Sequence, residues 1–274
     1  MLTNVPSISA ASSTRDVYVR LKDEPMADQV GAVARVALSE RAPADECPAY
    51  LAAVEGAVAA EPPPFGMEVY RSVYRHAAAN PTWLILSLVR NAQREGQGAT
   101  DLWSLAACAT DGHEQKLLKR HAVDESRHAK VYLALLDLSF PDAVDPIFRS
   151  EMNAFSPDYA LAREPRPVAG SLYAKPPTLD DFVQMNIAEI RTTIHHLMQR
   201  AALETHCPAA NLPRAIKLLN ALLRDELSHV AYTAVLIERK AAALGPGELS
   251  RLYSRRLRDF NRITTEEMGK STYD

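Results

Sequence analysis

The chain has 274 residues, 47% of them hydrophobic, with only 10 glycines and a formal net charge of −3. That is enough apolar chain for one large domain or two small ones, and the slightly acidic balance argues against a nucleic-acid-binding protein. No apolar run reaches the ~18 residues of a membrane span, Met1 to Ser13 lacks the basic start and apolar block of a secretory leader, and three scattered cysteines form neither a CxxC motif nor a disulfide framework, so a reducing cytoplasm is the expected setting.

Frequent Ala, Leu, Glu and Arg, with few alternating β-branched runs, predict an all-α protein. Residues 1–14 are expected to be disordered, and Asp16 to Glu40 to form two short helices interrupted at Pro25. Pro48 to Glu61 reads as a helix with proline in its first turn, stopped by Pro62-Pro63-Pro64, and residues 67–79 as another short one. The long elements start at Pro81. A first core helix runs to about Ala109, Asp111-Gly112 turns the chain, and a second runs from Glu114 to about Leu138. Seven prolines between 141 and 177 mark a long crossover, helical only just after Pro146. Thr178 is expected to cap the third core helix, with Asp180 and Asp181 in its first turn, where the helix dipole favours acids. That helix reaches about Thr205. The fourth opens at Pro213 and ends before Gly245-Pro246-Gly247. A last helix, Gly247 to Met268, carries Arg251, Arg255, Arg256 and Arg258, read as a solvated face or as ion pairs to the body of the protein. The resulting plan is an N-terminal helical extension (1–80), a four-helix bundle with one long crossover (81–244), and a basic C-terminal helix and tail (245–274).

Two stretches of this plan nearly repeat. Lys116-Leu117-Leu118 precedes Asp124-Glu125-Ser126-Arg127-His128, and Lys217-Leu218-Leu219 precedes Asp225-Glu226-Leu227-Ser228-His229. Residues i and i+3 share a helix face, so each block offers one carboxylate and one imidazole together. Glu95, 30 positions before Glu125, and Glu189, 37 before Glu226, stand where an antiparallel hairpin would bring them to similar heights. The candidate metal ligands are therefore Glu95, Glu125, His128, Glu189, Glu226 and His229. Four carboxylates and two imidazoles form a hard, oxygen-rich site suited to two Fe(II) ions, or to manganese, rather than to thiolate-bound zinc. Asp124 and Asp225 are placed to accept the outer N–H of the histidine in the other pair, the alternative being surface acids paired with Arg127 or Arg224. His121 and His196 fall on the metal-facing side by spacing, as supporting groups or additional ligands, whereas His195 points elsewhere. Gly96 and Gly98 beside Glu95 allow a π-bulge or a close substrate approach, or reflect tight helix packing. Trp83, Leu86, Trp103, Leu105, Phe182 and Met185 read as core.

The doubled Glu-x-x-His, each with an upstream Glu, resembles the ferritin-like di-iron carboxylate superfamily over roughly residues 81–244. Within it, the blocks are similar to those of bacterial di-iron monooxygenases and N-oxygenases and of the ribonucleotide-reductase radical subunit. The resemblance implies two iron ions, or an iron–manganese pair, activating O2 as co-substrate, with Glu125 or Glu226 bridging the metals. Di-iron monooxygenases carry a threonine one turn after a ligand glutamate, as Thr193 follows Glu189. In that role it would line the O2 pocket, the alternative being a hydroxyl bonded to its own backbone. Some N-oxygenases add a histidine one turn before a ligand glutamate of the fourth helix, where this chain has Leu222. Here the equivalent residue, His121, lies on the second helix instead.

The expected function is an O2-dependent oxygenase or oxidase hydroxylating, N-oxygenating or oxidatively cleaving a small organic molecule in specialised metabolism. With no GxGxxG-type fingerprint in the chain, a separate reductase or ferredoxin is the expected electron donor, and a homodimer the expected assembly. The alternatives are a ferroxidase or iron-storage protein, and a radical-generating subunit using Tyr132 or Tyr232.

Overall fold

The computed structural model describes Tyr18, Leu21 and residues 29–41 and 47–271; the expectation of disorder over residues 1–14 lies outside these. Among the described residues there are nine α-helices, three short 3-10 turns and no strand, so the all-α expectation holds. The helices are α1 (Gln29–Arg41), α2 (Pro48–Ala60), α3 (Glu68–Ala78), α4 (Pro81–Cys108), α5 (Gly112–Ser139), α6 (Pro146–Glu151), α7 (Leu179–His206), α8 (Leu212–Ala241) and α9 (Glu248–Ser271).

Local chemistry sets the ends of the long helices. Asn80 accepts from the backbone N–H groups of Thr82 and Trp83 at the start of α4, with Pro81 at the position where a missing N–H does no harm. Asp111 does the same for His113 and Glu114 at the start of α5. Thr178 and Asp181 form a reciprocal capping box at the start of α7. Phe140 closes α5 just before Pro141, and beyond α8 the chain turns through Gly247 at φ +73°, a left-handed conformation that favours glycine.

These four helices, of 28, 28, 28 and 30 residues, pack in two hairpins: α4 along α5, and α7 along α8. Helices α5 and α8 join the hairpins. Residues 140–178 cross between them, touching down on α4 and α5 through the 3-10 turns Met152–Phe155 and Tyr159–Leu161. At that point Gly96 is required. A Cβ there would stand 1.8 Å from the carbonyl oxygen of Phe155, whereas one on Gly98 would meet nothing within 4 Å. Of the readings open for these glycines, tight packing is the one observed at Gly96 but not at Gly98, and α4 stays α-helical throughout.

Helices α1, α2 and α9 lie against the α7–α8 hairpin, and α3 against α4 and α7. Asn186 of α7 pins this layer. Its Oδ1 accepts from the hydroxyls of Tyr50 (3.1 Å) and Tyr253 (2.9 Å), and its Nδ2 donates to Val230 O (3.1 Å) and Thr233 Oγ1 (2.9 Å). The arginines of α9 face the body of the protein in part: Arg255 and Arg256 both pair with Asp180. One expected core position differs from the sequence reading: Leu86 is 48% exposed, whereas Trp83 and Met185 are half-buried against the apolar clusters.

The apolar interior is divided. One cluster includes Leu102, Leu105, Leu118, Phe182, Ile187, Val230 and Ile237; the other includes Leu84, Leu88, Leu133, Leu136, Leu203 and Leu219. In α4 and α5, Glu95, Glu125 and His128 fall in the sequence between the contributions to the two clusters, whereas in α7 and α8 Glu189, Glu226 and His229 interrupt residues of the first cluster.

Candidate metal centre

Helix periodicity aims Glu95 from α4, His121, Glu125 and His128 from α5, Glu189 from α7, and Glu226 and His229 from α8 at one polar gap in the apolar interior. Two groups there offer ligand atoms all within 4.8 Å of one another: His121, Glu125, Glu189 and His229, and Glu95, Glu125 and His128. Among the described residues, these buried His/Glu groups can hold a metal ion.

The two block histidines present Nδ1 inward. His128 Nδ1 is 3.5 Å from Glu125 Oε1, 3.3 Å from Glu226 Oε1 and 3.9 Å from Glu95 Oε2. His229 Nδ1 is 3.3 Å from Glu125 Oε1, 3.1 Å from Glu226 Oε2 and 3.8 Å from Glu189 Oε2. Glu125 and Glu226 thus each reach both histidines. The outward nitrogens face aspartates from the opposite block: His128 Nε2 is 3.4 Å from Asp225 Oδ2, and His229 Nε2 is 3.5 Å from Asp124 Oδ2. Arg127 holds both aspartates with one guanidinium nitrogen, at 2.8 Å from Asp124 and 2.8 Å from Asp225. The same two acids therefore face a histidine and carry a surface arginine, where the sequence posed these as alternatives. The double engagement of Arg127 escaped the sequence reading, although the first block alone carries an arginine before its histidine.

Thr193 is buried, and its hydroxyl donates to Glu189 O at 2.8 Å, so it serves its own helix backbone. His196 lies outside both donor groups, with Nε2 2.8 Å from the Tyr132 hydroxyl. His195 stacks on Tyr70, its ring centroid 5.5 Å away. A cavity of about 570 Å³ runs along the outer side of α4, lined by Arg90, Gln93, Arg94, Gln97 and Phe155; no cluster donor lines it.

The electrostatics are those of too much negative charge in too little water. Burial, reinforced by Glu125 beside it, pushes the Glu95 carboxyl well above its ordinary range. Burial also raises Glu226, with Glu125 opposing its charge and His128 favouring it. Burial works against the charged forms of Glu125 and Glu189 too, but their neighbours together outweigh it: His128, Glu95 and His121 hold Glu125 well below the usual range, and His121 and His229 bring Glu189 down to about 2. Burial alone would lower the histidines. The carboxylates reverse this, raising His128 through Glu125 and Glu226, and His229 through Asp124, Glu189 and Glu226. By contrast His196, buried and repelled by His128, drops to about 3.

A cation fits this donor set. Ligands about 2.1 Å from a shared ion and at right or tetrahedral angles stand about 3.0–3.4 Å apart, and His128 Nδ1 with Glu226, His229 Nδ1 with Glu125 and Glu226, and His121 Nε2 with Glu125 and Glu189 fall in that range. His128 Nδ1 and Glu226 Oε1 are both buried and without a hydrogen-bond partner while facing each other at 3.3 Å. Groups orphaned in this way need a partner that accepts from neither and is attracted to both.

Comparison of the chain with protein-family models, with curated proteins and with solved structures gives no match. No helix among the described residues is long and apolar enough to cross a membrane.

Proposed function

We propose that the protein is an O2-activating di-iron oxygenase or oxidase of the ferritin-like carboxylate type, with an iron–manganese pair as the alternative metal content. One observation carries this reading. The two Asp-Glu-x-x-His blocks and their two upstream glutamates converge from four helices on one buried gap, in which His128 Nδ1 and Glu226 Oε1 face each other unbonded.

Bound ferrous ions would supply the electrons and open coordination positions that O2 needs. The chain's own contribution is placement. Glu95, Glu125, His128, Glu189, Glu226 and His229 would hold the ions. Glu125 and Glu226 are each within reach of both inward nitrogens, and either could be shared between the two ions. Asp225 and Asp124 would keep the proton of each imidazole on Nε2, so that the Nδ1 lone pairs point inward. The apolar side chains bordering these donors would keep bulk water from them. The substrate is a small organic molecule, hydroxylated, N-oxygenated or oxidatively cleaved, and a separate reductase or ferredoxin delivers electrons.

The test is metal content after anaerobic Fe(II) loading, followed by absorbance on exposure to O2. Two irons per chain and a transient visible band are expected. Little bound iron and no spectral change, repeated with manganese, would sink the six-ligand assignment. A second reading, a radical-generating subunit, is favoured by Tyr232, whose hydroxyl is 2.7 Å from His121 Nδ1 at the edge of the cluster. It predicts a tyrosyl electron-paramagnetic-resonance signal after O2 exposure that Tyr232→Phe abolishes.

A further inference from the structure

We infer that His121 is itself a metal donor, so that the proposed centre has two unequal pockets and the one built on His121 fills first. The inference rests on the dinuclear reading above and adds a seventh ligand and a loading order.

The Tyr232 hydroxyl lies 2.7 Å from His121 Nδ1 and 3.4 Å from Met185 Sδ. The tautomer of neutral His121 that donates its Nδ1–H to this oxygen leaves a lone pair on Nε2. That lone pair points at two carboxylate oxygens, Glu125 Oε1 at 3.0 Å and Glu189 Oε1 at 3.4 Å. The rings of His121 and His229 lie 3.6 Å apart between centroids, so His229 Nδ1 completes the group. Four electron-pair donors thus converge inside the protein, with His121 1% and His229 3% exposed. In that tautomer Tyr232 faces the outer nitrogen of His121 as Asp225 and Asp124 face those of His128 and His229, which leaves Nε2 of His121 toward the gap.

The two pockets are then chemically different. One offers two imidazoles and two carboxylates, all within 4.8 Å of one another; the other offers one imidazole with Glu95 and Glu125 at that spacing. Imidazole donors raise affinity for the first-row divalent ions. The ion beside His121 and His229 binds first, and the ion beside Glu95 and His128 binds second.

Anaerobic titration of the full chain, stripped of metal, with Co(II) tests this, using calorimetry for affinity and the visible bands of Co(II) for ligand environment. The wild type is expected to take up two equivalents in two resolved steps. His121→Asn should weaken the first step at least about 10-fold, since loss of a ligand matters no less than loss of its supporting bond. Glu95→Gln should keep the first step and lose the second. Tyr232→Phe should keep both equivalents and weaken the first by a few-fold. Far-ultraviolet circular dichroism checks that each variant is folded. Two equivalents in His121→Asn with wild-type constants would overturn the inference and leave the dinuclear reading standing. A wild-type chain that binds no Co(II) would overturn both. Should His121→Asn fail to fold, loss of the tight step in Glu95→Gln overturns the loading order on its own.

Discussion

Asp124 and Asp225 occupy the same place in their two blocks, and each stands beside the other block's histidine while sharing Arg127 on its outer side. An acid that only decorates the surface can be neutralised at little consequence. One that holds an imidazole N–H cannot. Asp225→Asn and Asp124→Asn are each expected to weaken metal binding by about 10–100-fold while leaving the helix content intact. Equilibrium titration with Fe(II) or Co(II) checks this, and unchanged affinity in both variants would return the two acids to the surface. At this scale the sequence was readable wherever one helix sets the geometry: Glu125 with His128, Glu226 with His229, and the aspartates one position earlier all follow from 3.6 residues per turn. It was unreadable where the partner lies on another helix. Nothing in the spacing shows that His121 turns its Nδ1 to Tyr232, 111 positions away, or that Arg127 reaches Asp225, 98 positions away.

Element boundaries were legible because caps and prolines are local signals, and Thr178, Pro81 and Asp111 each mark a helix start. How the elements dock was less so, and two positions show why. The sequence left several readings open for Gly96 and Gly98, because a glycine's value depends on what its missing Cβ would meet. Gly96→Ala would place a methyl group on the Phe155 carbonyl and force the crossover off α4, and it is expected to destabilise by about 1–3 kcal/mol despite alanine's better helix propensity. Gly98→Ala meets open space and should stabilise by about 0.5–1 kcal/mol. Urea melts of the two variants side by side test the pair; equal shifts would mean the crossover does not rest on Gly96. Asn186 carries no motif at all, yet its four bonds tie α2 and α9 to the α7–α8 hairpin. Asn186→Leu would strand the buried hydroxyls of Tyr50 and Tyr253, at about 1–3 kcal/mol for each group left unpaired. A lowered denaturation midpoint, with early hydrogen exchange in α2 and α9, is the expected result; loss confined to α4 and α5 would contradict it.

Across the whole molecule, the two apolar clusters favour folding and the polar gap in the interior opposes it, so the state of that gap affects stability. Without a cation, protons must do the neutralising. The raised Glu95 and Glu226 carboxyls and the raised His128 and His229 imidazoles keep protons in the folded chain at pH values where the unfolded chain has shed them. A group whose folded pKa is raised contributes stability that is complete below its unfolded pKa and is lost as pH rises through the folded value. For the histidines this loss begins near the ordinary value of 6.5. Glu125 and Glu189 work the other way: their stabilisation is present above the ordinary value of 4.5 and is lost on acidification, so they do not offset the loss at alkaline pH. The metal-free protein should therefore melt at progressively lower temperature as pH is raised above about 6.5. Metal binding displaces those same protons, so its affinity should rise over the same interval. Because a ligand at about 100 times its dissociation constant adds about 2.7 kcal/mol, the gap in melting temperature between loaded and metal-free protein should widen with pH. Differential scanning calorimetry from pH 6 to 9, with and without Fe(II) under anaerobic conditions, measures the gap. Titration in buffers of different ionisation enthalpy counts the protons released. A gap independent of pH, with no proton release, would mean that the metal does not enter this cluster of carboxylates and imidazoles.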